Sequence, residues 1–288
     1  MRALHRVLDS HPLVLDDPFA AQLLGFRAPS GFAAAFTLRR RVAARLIPGL
    51  PSWFRRLPSG ARRLRAQVVV RSRFAEDRLE EAIRRGVDQY VVLAAGLDTF
   101  ALRRPDLAER VAVLEVDHPE TQAWKRERLS FLDAPTPSNL ELIAYDFELQ
   151  NLEQALAGSP LDRNRPAFFS WLGVTYYLSR EAIADTLRFV ASLPEGSELV
   201  FDYWCRTDLL RVADLALIDS IRLAVRGQGE PMRSFFDPLR LRRLVEECGL
   251  SVREDLDAAS TQEAYLAGRR DGLLVPEFAH LARVGRAS

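Results

Sequence analysis

From residue 89 onward, short apolar runs alternate with helix-patterned segments. The runs are "QYVVLAA" (89–95), "VAVLEVD" (111–117), "LELIAYD" (140–146), "PAFFSWLGV" (166–174) and "SELVFDYW" (197–204). Between them lie a short helix near 98–103, a helix from Pro119 to Leu129, "NLEQALAG" and "REAIADTLRFVASL". Each run is long enough for a strand and too short for a buried helix. Strands that are apolar on both sides and joined through helices predict an α/β fold, a parallel sheet covered on both faces. The end of the chain departs from this rhythm. "DPLRLRRLVEECGLSVRED" (237–255) predicts a helix stopped at Gly249 and then a strand. "STQEAYLAGR" reads as one more helix and "EFAHLARVGR" as a last strand. A short-loop strand pair here would add an antiparallel edge.

The first 75 or so residues read differently. Pro12, Pro18, Pro29, Pro48, Pro51 and Pro58 punctuate helical and irregular stretches. "AAAFTLRRRVAARL" sets Leu38, Val42 and Leu46 on one helical face, with arginines beside them. These arginines read as a solvated face or as a hold on an anionic substrate. The division expected is a helical lid over 1–75 and a catalytic core over 76–288. Net charge is +1, which gives no global signal for nucleic acid or membrane partners. Of 40 basic residues only Lys125 is a lysine, a bias of composition. No apolar run approaches a membrane span and no signal-peptide core is visible, so a cytoplasmic protein is expected. Cys205 and Cys248 are too few and too far apart for a disulfide framework or a zinc site.

Ligands of open α/β sheets bind at the carboxyl ends of the strands. The residues following each strand are therefore the candidates. After the first come Ala94, Ala95, Gly96, Leu97, Asp98 and Thr99. Small residues admit a ligand close to the backbone, and Asp98 or Thr99 can cap the next helix. A dinucleotide corner carries three glycines to wrap a pyrophosphate; one suits a cofactor without phosphate. Asp117 ends the second strand 21 residues beyond Gly96, the spacing of a ribose-binding carboxylate, and its competitor is Glu115. Asp117 would otherwise cap the helix that starts at Pro119. Lys125 reads as a surface or packing residue. Asp146 and Phe147 end the third strand and suit an adenine, as a polar acceptor beside a flat wall. Ser170, Leu172, Tyr176 and Tyr177 follow the fourth; the aromatics line an acceptor pocket or pack the core, and Ser170 and Leu172, like His118 after the second strand, are candidate cofactor contacts. On the helix around 61–85 a stripe of Leu64, Val68, Arg71, Ala75, Leu79 and Ala82 puts Arg71 on the apolar side. A buried guanidinium needs an anion, from the cofactor or from the protein.

These motifs, in order, are "RSRFAED" (71–77), "QYVVLAAGLDTFALR" (89–103), "LEVDHPETQAWKRERL" (114–129), "YDF" (145–147), "GVTYYL" (173–178) and the helix start near 235–238. Together they span most of the chain. The sequence resembles the leucine carboxyl methyltransferase-like family of S-adenosylmethionine-dependent methyltransferases, most of all its bacterial branch. The resemblance implies a class I methyltransferase (Rossmann-like) fold. This is a seven-stranded, mostly parallel sheet with an antiparallel last strand, and an N-terminal helical lid. It implies S-adenosyl-L-methionine as cofactor. Arg71 would take the methionine carboxylate, and Ala95 and Gly96 would pass beside the methionyl chain. Asp117 would take the ribose hydroxyls, and Asp146 and Phe147 would flank the adenine. One departure stands out: many relatives carry Glu where this chain has Leu172.

Methyl transfer from a sulfonium is an in-line displacement whose leaving group needs no proton. His118 adjoins the ribose motif; His5, His11 and His280 lie elsewhere, and none forms an evident dyad. The expectation is therefore O-methylation of a carboxylate, which needs no base, or of an acidic hydroxyl. Tyr177 and Tyr203 are candidate positioning residues, and His118 a candidate acid or base. The acceptor would be a small secondary metabolite, a peptide C-terminus, or a fatty or polyketide acid. An NAD-dependent dehydrogenase shares the sheet, the turn and the acidic residue, but the single glycine and the C-terminal strands disfavour it. A non-catalytic binding protein of the same fold is the other alternative.

Overall fold

The computed structural model describes residues 11–23, 59–132, 135–146, 152–206, 212–226 and 232–286, together with Met1, Arg2, His5, Arg6, Asp9, Asp208 and Leu210. The stripe at Leu38, Val42 and Leu46, and Phe147, lie outside them. Seven strands form one sheet: β1 Gln89–Leu93, β2 Ala112–Asp117, β3 Leu140–Ala144, β4 Phe168–Trp171, β5 Glu198–Trp204, β6 Leu250–Leu256 and β7 Ala279–Arg286. Their order is β3-β2-β1-β4-β5-β7-β6. The first five run parallel, and β7 is antiparallel to both its neighbours. The order reverses between β1 and β4, which makes their carboxyl ends the switch point.

The helices are α1 Ala20–Leu23, α2 Ser59–Arg84, α3 Phe100–Arg103, α4 Pro119–Ser130, α5 Leu152–Leu156, α6 Arg180–Ala191, α7 Val212–Arg226, α8 Pro238–Glu247 and α9 Ala258–Leu266. Alternate strand residues feed two cores. Val91, Leu114, Phe169, Phe201 and Tyr203 face α5, α6 and α8. Tyr90, Val92, Val113, Phe168 and Val200 face α2, α3 and α9. Caps fix the helix starts. Ser179, Asp237 and Asp257 each accept a backbone N–H of the following turn. Gly249, at φ +86°, turns the chain out of α8 into β6. No helix among the described residues is long and apolar enough to cross a membrane.

Three expectations shift. β7 does not pair with β6 across a short loop, because α9 and the segment after it lie between them. It inserts between β5 and β6, which makes β6 the sheet edge. The stripe on α2 also turns. Ala75, Leu79 and Ala82 are buried as expected, but Leu64, Val68 and Arg71 are only half-buried. Ala66, Val69, Val70 and Phe74 pack the core in their place. The cause is that α2 is covered on more than one side: Arg65, Gln67 and Ser72 are buried too. Finally, α7 is a helix in a stretch where the sequence alone predicted no element.

Candidate active site

A cavity of about 300 Å³ lies at the switch point. Its wall is the turn after β1, from Ala94 to Asp98, with Ser170 and Leu172 from β4, Val68 and Arg71 from α2, and Arg2 above. The turn is built for close approach. Gly96 has φ +54°, and Ala94 has φ +53°, a left-handed conformation that side chains other than glycine's rarely adopt.

Charged groups hold that turn in place. Asp98 Oδ1 accepts the Phe100 N–H at 2.7 Å and starts α3. Its Oδ2 accepts from Arg2 at 2.9 Å. Burial opposes the carboxylate charge, but Arg2, Lys125 and Arg103 overcome it and bring the Asp98 pKa down to about 2. Lys125 is not a surface residue. It is buried, donates to the Asp98 carbonyl at 2.7 Å, and forms an ion pair with Glu115. Glu115 and Asp117 share one face of β2, and depth separates them: Glu115 is buried and Asp117 half-buried. Thr99, the other candidate cap, instead donates its hydroxyl to Asp17 at 2.6 Å.

Asp117 reaches the turn directly. Gly96 N–H donates to its Oδ2, and His118 N–H donates to Oδ1 at 2.6 Å. His118 caps α4 through Nδ1, and its Nε2 lies 3.7 Å from Asp146 Oδ2. Asp117, His118 and Asp146 thus form a rim cluster beside the cavity, joined to it through Gly96. Arg71, Ala95, Gly96, Ser170 and Leu172 line the cavity itself.

Arg71 has a protein partner that the sequence reading left unnamed. Its Nη1 lies 3.1 Å from Asp202 Oδ2, and Asp202 is fully buried on β5. Asp202 also accepts from Gln67 at 3.3 Å and from Gly173 N–H at 2.5 Å. Burial opposes the guanidinium charge, but Asp202 and Tyr176 outweigh it and raise the Arg71 pKa. Gly173 has φ +81°, and a Cβ there would lie 2.7 Å from Arg71 Cζ. The available signal was Asp202 itself, one acid within the apolar run "LVFDYW".

The two candidate tyrosines are placed elsewhere. Tyr177, in a 3-10 turn after β4, packs edge-on against Tyr176 with centroids 4.7 Å apart. Tyr203 lies on the face of β5 opposite Asp202. It is fully buried, and its hydroxyl donates to Asp255 at 2.8 Å. The structure does not bring it to the cavity, because successive β5 side chains point to opposite faces. Besides His118 with Asp146, histidine–carboxylate pairs stand where the sequence showed no dyad: His5 with Asp9 at 2.7 Å and His280 with Asp255 at 3.1 Å.

Residues 1–191 match the family model for leucine carboxyl methyltransferase. YktD of Bacillus subtilis (strain 168), provisionally assigned as an S-adenosyl-L-methionine-dependent methyltransferase, is 33% identical over 74% of this chain and 70% of its own. A provisionally assigned S-adenosyl-L-methionine-dependent methyltransferase of Mycolicibacterium paratuberculosis is 31% identical over 70% of this chain and 71% of its own. The solved structure of a DUF574 family protein from Streptomyces avermitilis is similar in fold, with TM-score 0.56, 15% identity, and 93% and 95% of the two chains covered.

Proposed function

The chain belongs to the leucine carboxyl methyltransferase family of S-adenosylmethionine-dependent methyltransferases, and from that premise we propose that it methylates oxygen, on a carboxylate or an acidic hydroxyl of a small molecule or peptide. The observation that carries this reading is the charge of the cavity. Among the described residues its wall holds two guanidiniums, Arg2 and Arg71, and one carboxylate, Asp98, already held by Arg2. Among the described residues no imidazole lines it. Cations without a base suit an acceptor that arrives as an anion and loses no proton.

The residues present fit the cofactor. A carboxylate with two oxygens suits a diol, a guanidinium suits a carboxylate, and a left-handed turn of small residues suits an extended chain. In this reading Asp117 would take the ribose hydroxyls, and Arg71 the methionyl carboxylate with a donor not used on Asp202. Ala95 and Gly96 would border the methionyl chain, Asp146 and Phe147 the adenine, and His118 would brace Asp146. S-adenosylmethionine supplies an electrophilic methyl group when bound. Ser170 and Leu172 would then wall the place opposite that methyl. Leu172 would exclude water there and leave the acceptor's charge to Arg2. Residues 1–75 would close the site as a lid: Arg2 already bridges Ser72 at 2.9 Å and Asp98 at 2.9 Å.

The test is turnover of S-adenosylmethionine with a panel of carboxylic acids, acidic phenols and amines, with the product placed by mass spectrometry and NMR. An ester or methyl ether is expected. A methyl on nitrogen or carbon overturns the reading.

A further inference from the structure

The chain uses arginine wherever it carries a cation, except at one position, and that position is buried. Lys125, the single lysine among 40 basic residues, is 1% exposed. It stands on the inner face of α4 with Gln122 and Leu129. Gln122 Nε2 donates to the Glu115 carbonyl at 2.9 Å and fastens α4 to β2. One turn further along the helix, Lys125 Nζ donates to the Glu115 carboxylate. The same nitrogen donates to the Asp98 carbonyl at 2.7 Å. One ammonium therefore joins three elements: α4, β2 and the turn after β1.

Those elements carry the two halves of the corner. Asp117 follows Glu115 on the same face of β2. Asp98 closes the turn that holds Gly96, since its N–H donates to the Ala95 carbonyl at 2.9 Å. Gly96 N–H donates to Asp117 in turn. Lys125 is thus bonded to the residue that ends one half and to the strand that carries the other. A compact ammonium suits this place. It aims three donors from one atom, whereas a guanidinium spreads its donors along a rigid planar fork. It also answers a local excess of carboxylates. Burial raises the Glu115 pKa, Lys125 pulls against it, and Asp98 and Asp117 add to the rise.

We propose that Lys125 is a positioning residue for S-adenosylmethionine: held by Glu115, it fixes the Asp98 carbonyl and so sets the turn at Gly96 at the distance from Asp117 that the cofactor spans. This rests on the reading that Asp117 takes the ribose and that Ala95 and Gly96 border the methionyl chain. Lys125 acts through Asp98, which lines the cavity, and is itself buried away from the wall. A turn ordered in advance spares the bound complex the entropy cost of ordering it, so the gain falls on cofactor affinity.

The experiment has two readouts on the full chain, and neither needs the methyl acceptor. In the first, S-adenosylhomocysteine is titrated by calorimetry into the wild type and into the double variant Lys125→Met, Glu115→Gln. The double change removes both charges together, so no unpaired charge is left buried. Affinity is expected to fall roughly tenfold, the effect of one lost charge-assisted hydrogen bond. Unchanged affinity in the double variant overturns the proposal. In the second, the wild-type chain carries an isotope label at lysine Cε and gives a single lysine NMR signal, that of Lys125. S-adenosylhomocysteine should move this signal along the calorimetric binding curve. A signal that stays in place at saturation overturns the proposal, and this readout decides alone where thermal melts show the double variant unfolded. Asp117→Ala, titrated alongside, separates the proposal from the reading beneath it. Weaker binding in Asp117→Ala but not in the double variant leaves that reading standing and overturns the role of Lys125. Unchanged binding in both overturns the two together.

Discussion

Arg71 and Asp202 define the chemistry of the cavity wall at the scale of single residues. Asp202 has three donors around its carboxylate, so the guanidinium is fixed before any ligand arrives. Such fixing is what makes a cation useful for orientation rather than mere attraction. Gly173 guards the arrangement, since its backbone carries a donor and its missing Cβ leaves room for the guanidinium. Gly173→Ala is therefore expected to lower stability by ~1–3 kcal/mol, from the left-handed backbone and the displaced Arg71. Urea unfolding measures it, and an unchanged midpoint contradicts it. Asp117→Ala addresses the cofactor instead. Calorimetry should show weaker S-adenosylmethionine binding by ~1–3 kcal/mol, the loss of a charged hydrogen bond. Unchanged affinity would remove Asp117 from the site.

Elements show why some of this was legible in the sequence and some was not. The first five strands, their helices and the turn at Gly96 follow from local periodicity and spacing, which need no knowledge of distant residues. Asp202 was readable as an acid in an apolar run, but its pairing with Arg71 spans 131 positions. The cluster at β5, β6 and β7 was not legible at all, because it depends on β7 inserting between the other two. Register then places Tyr203 opposite His280 and Asp255 beside them. This corner makes stability depend on pH. His280 has its pKa raised to about 9, so the fold binds its proton more tightly than the unfolded chain does. That contribution is complete below about 6.5, the ordinary histidine value, and is lost as pH rises through about 9. Thermal melts of the wild type against His280→Gln should differ most below pH 6.5 and converge above pH 9. A gap that is constant across the range contradicts this assignment.

At the scale of the whole molecule, cofactor binding and folding are linked. A ligand that binds only the folded chain stabilises it by about 2.7 kcal/mol at a hundredfold its Kd. For a chain of this size that is a rise of roughly 5–10 °C in Tm. S-adenosylmethionine should produce it in a thermal-shift assay, and NAD at the same concentration should not. Equal shifts would count against the single-glycine corner as a discriminator.

The place of β7 bears on how the chain is made. β5 ends at Trp204, and its partner β7 begins at Ala279, 75 positions later. At a synthesis rate of roughly 5–20 residues per second, that partner follows ~4–15 s behind. Throughout that interval the nascent sheet ends at β5, with "LVFDYW" presenting unpaired backbone groups at its rim. Until β7 pairs with that rim and carries β6 with it, the ribosome-bound chain is open to chaperone capture, or to pairing with a neighbouring nascent chain.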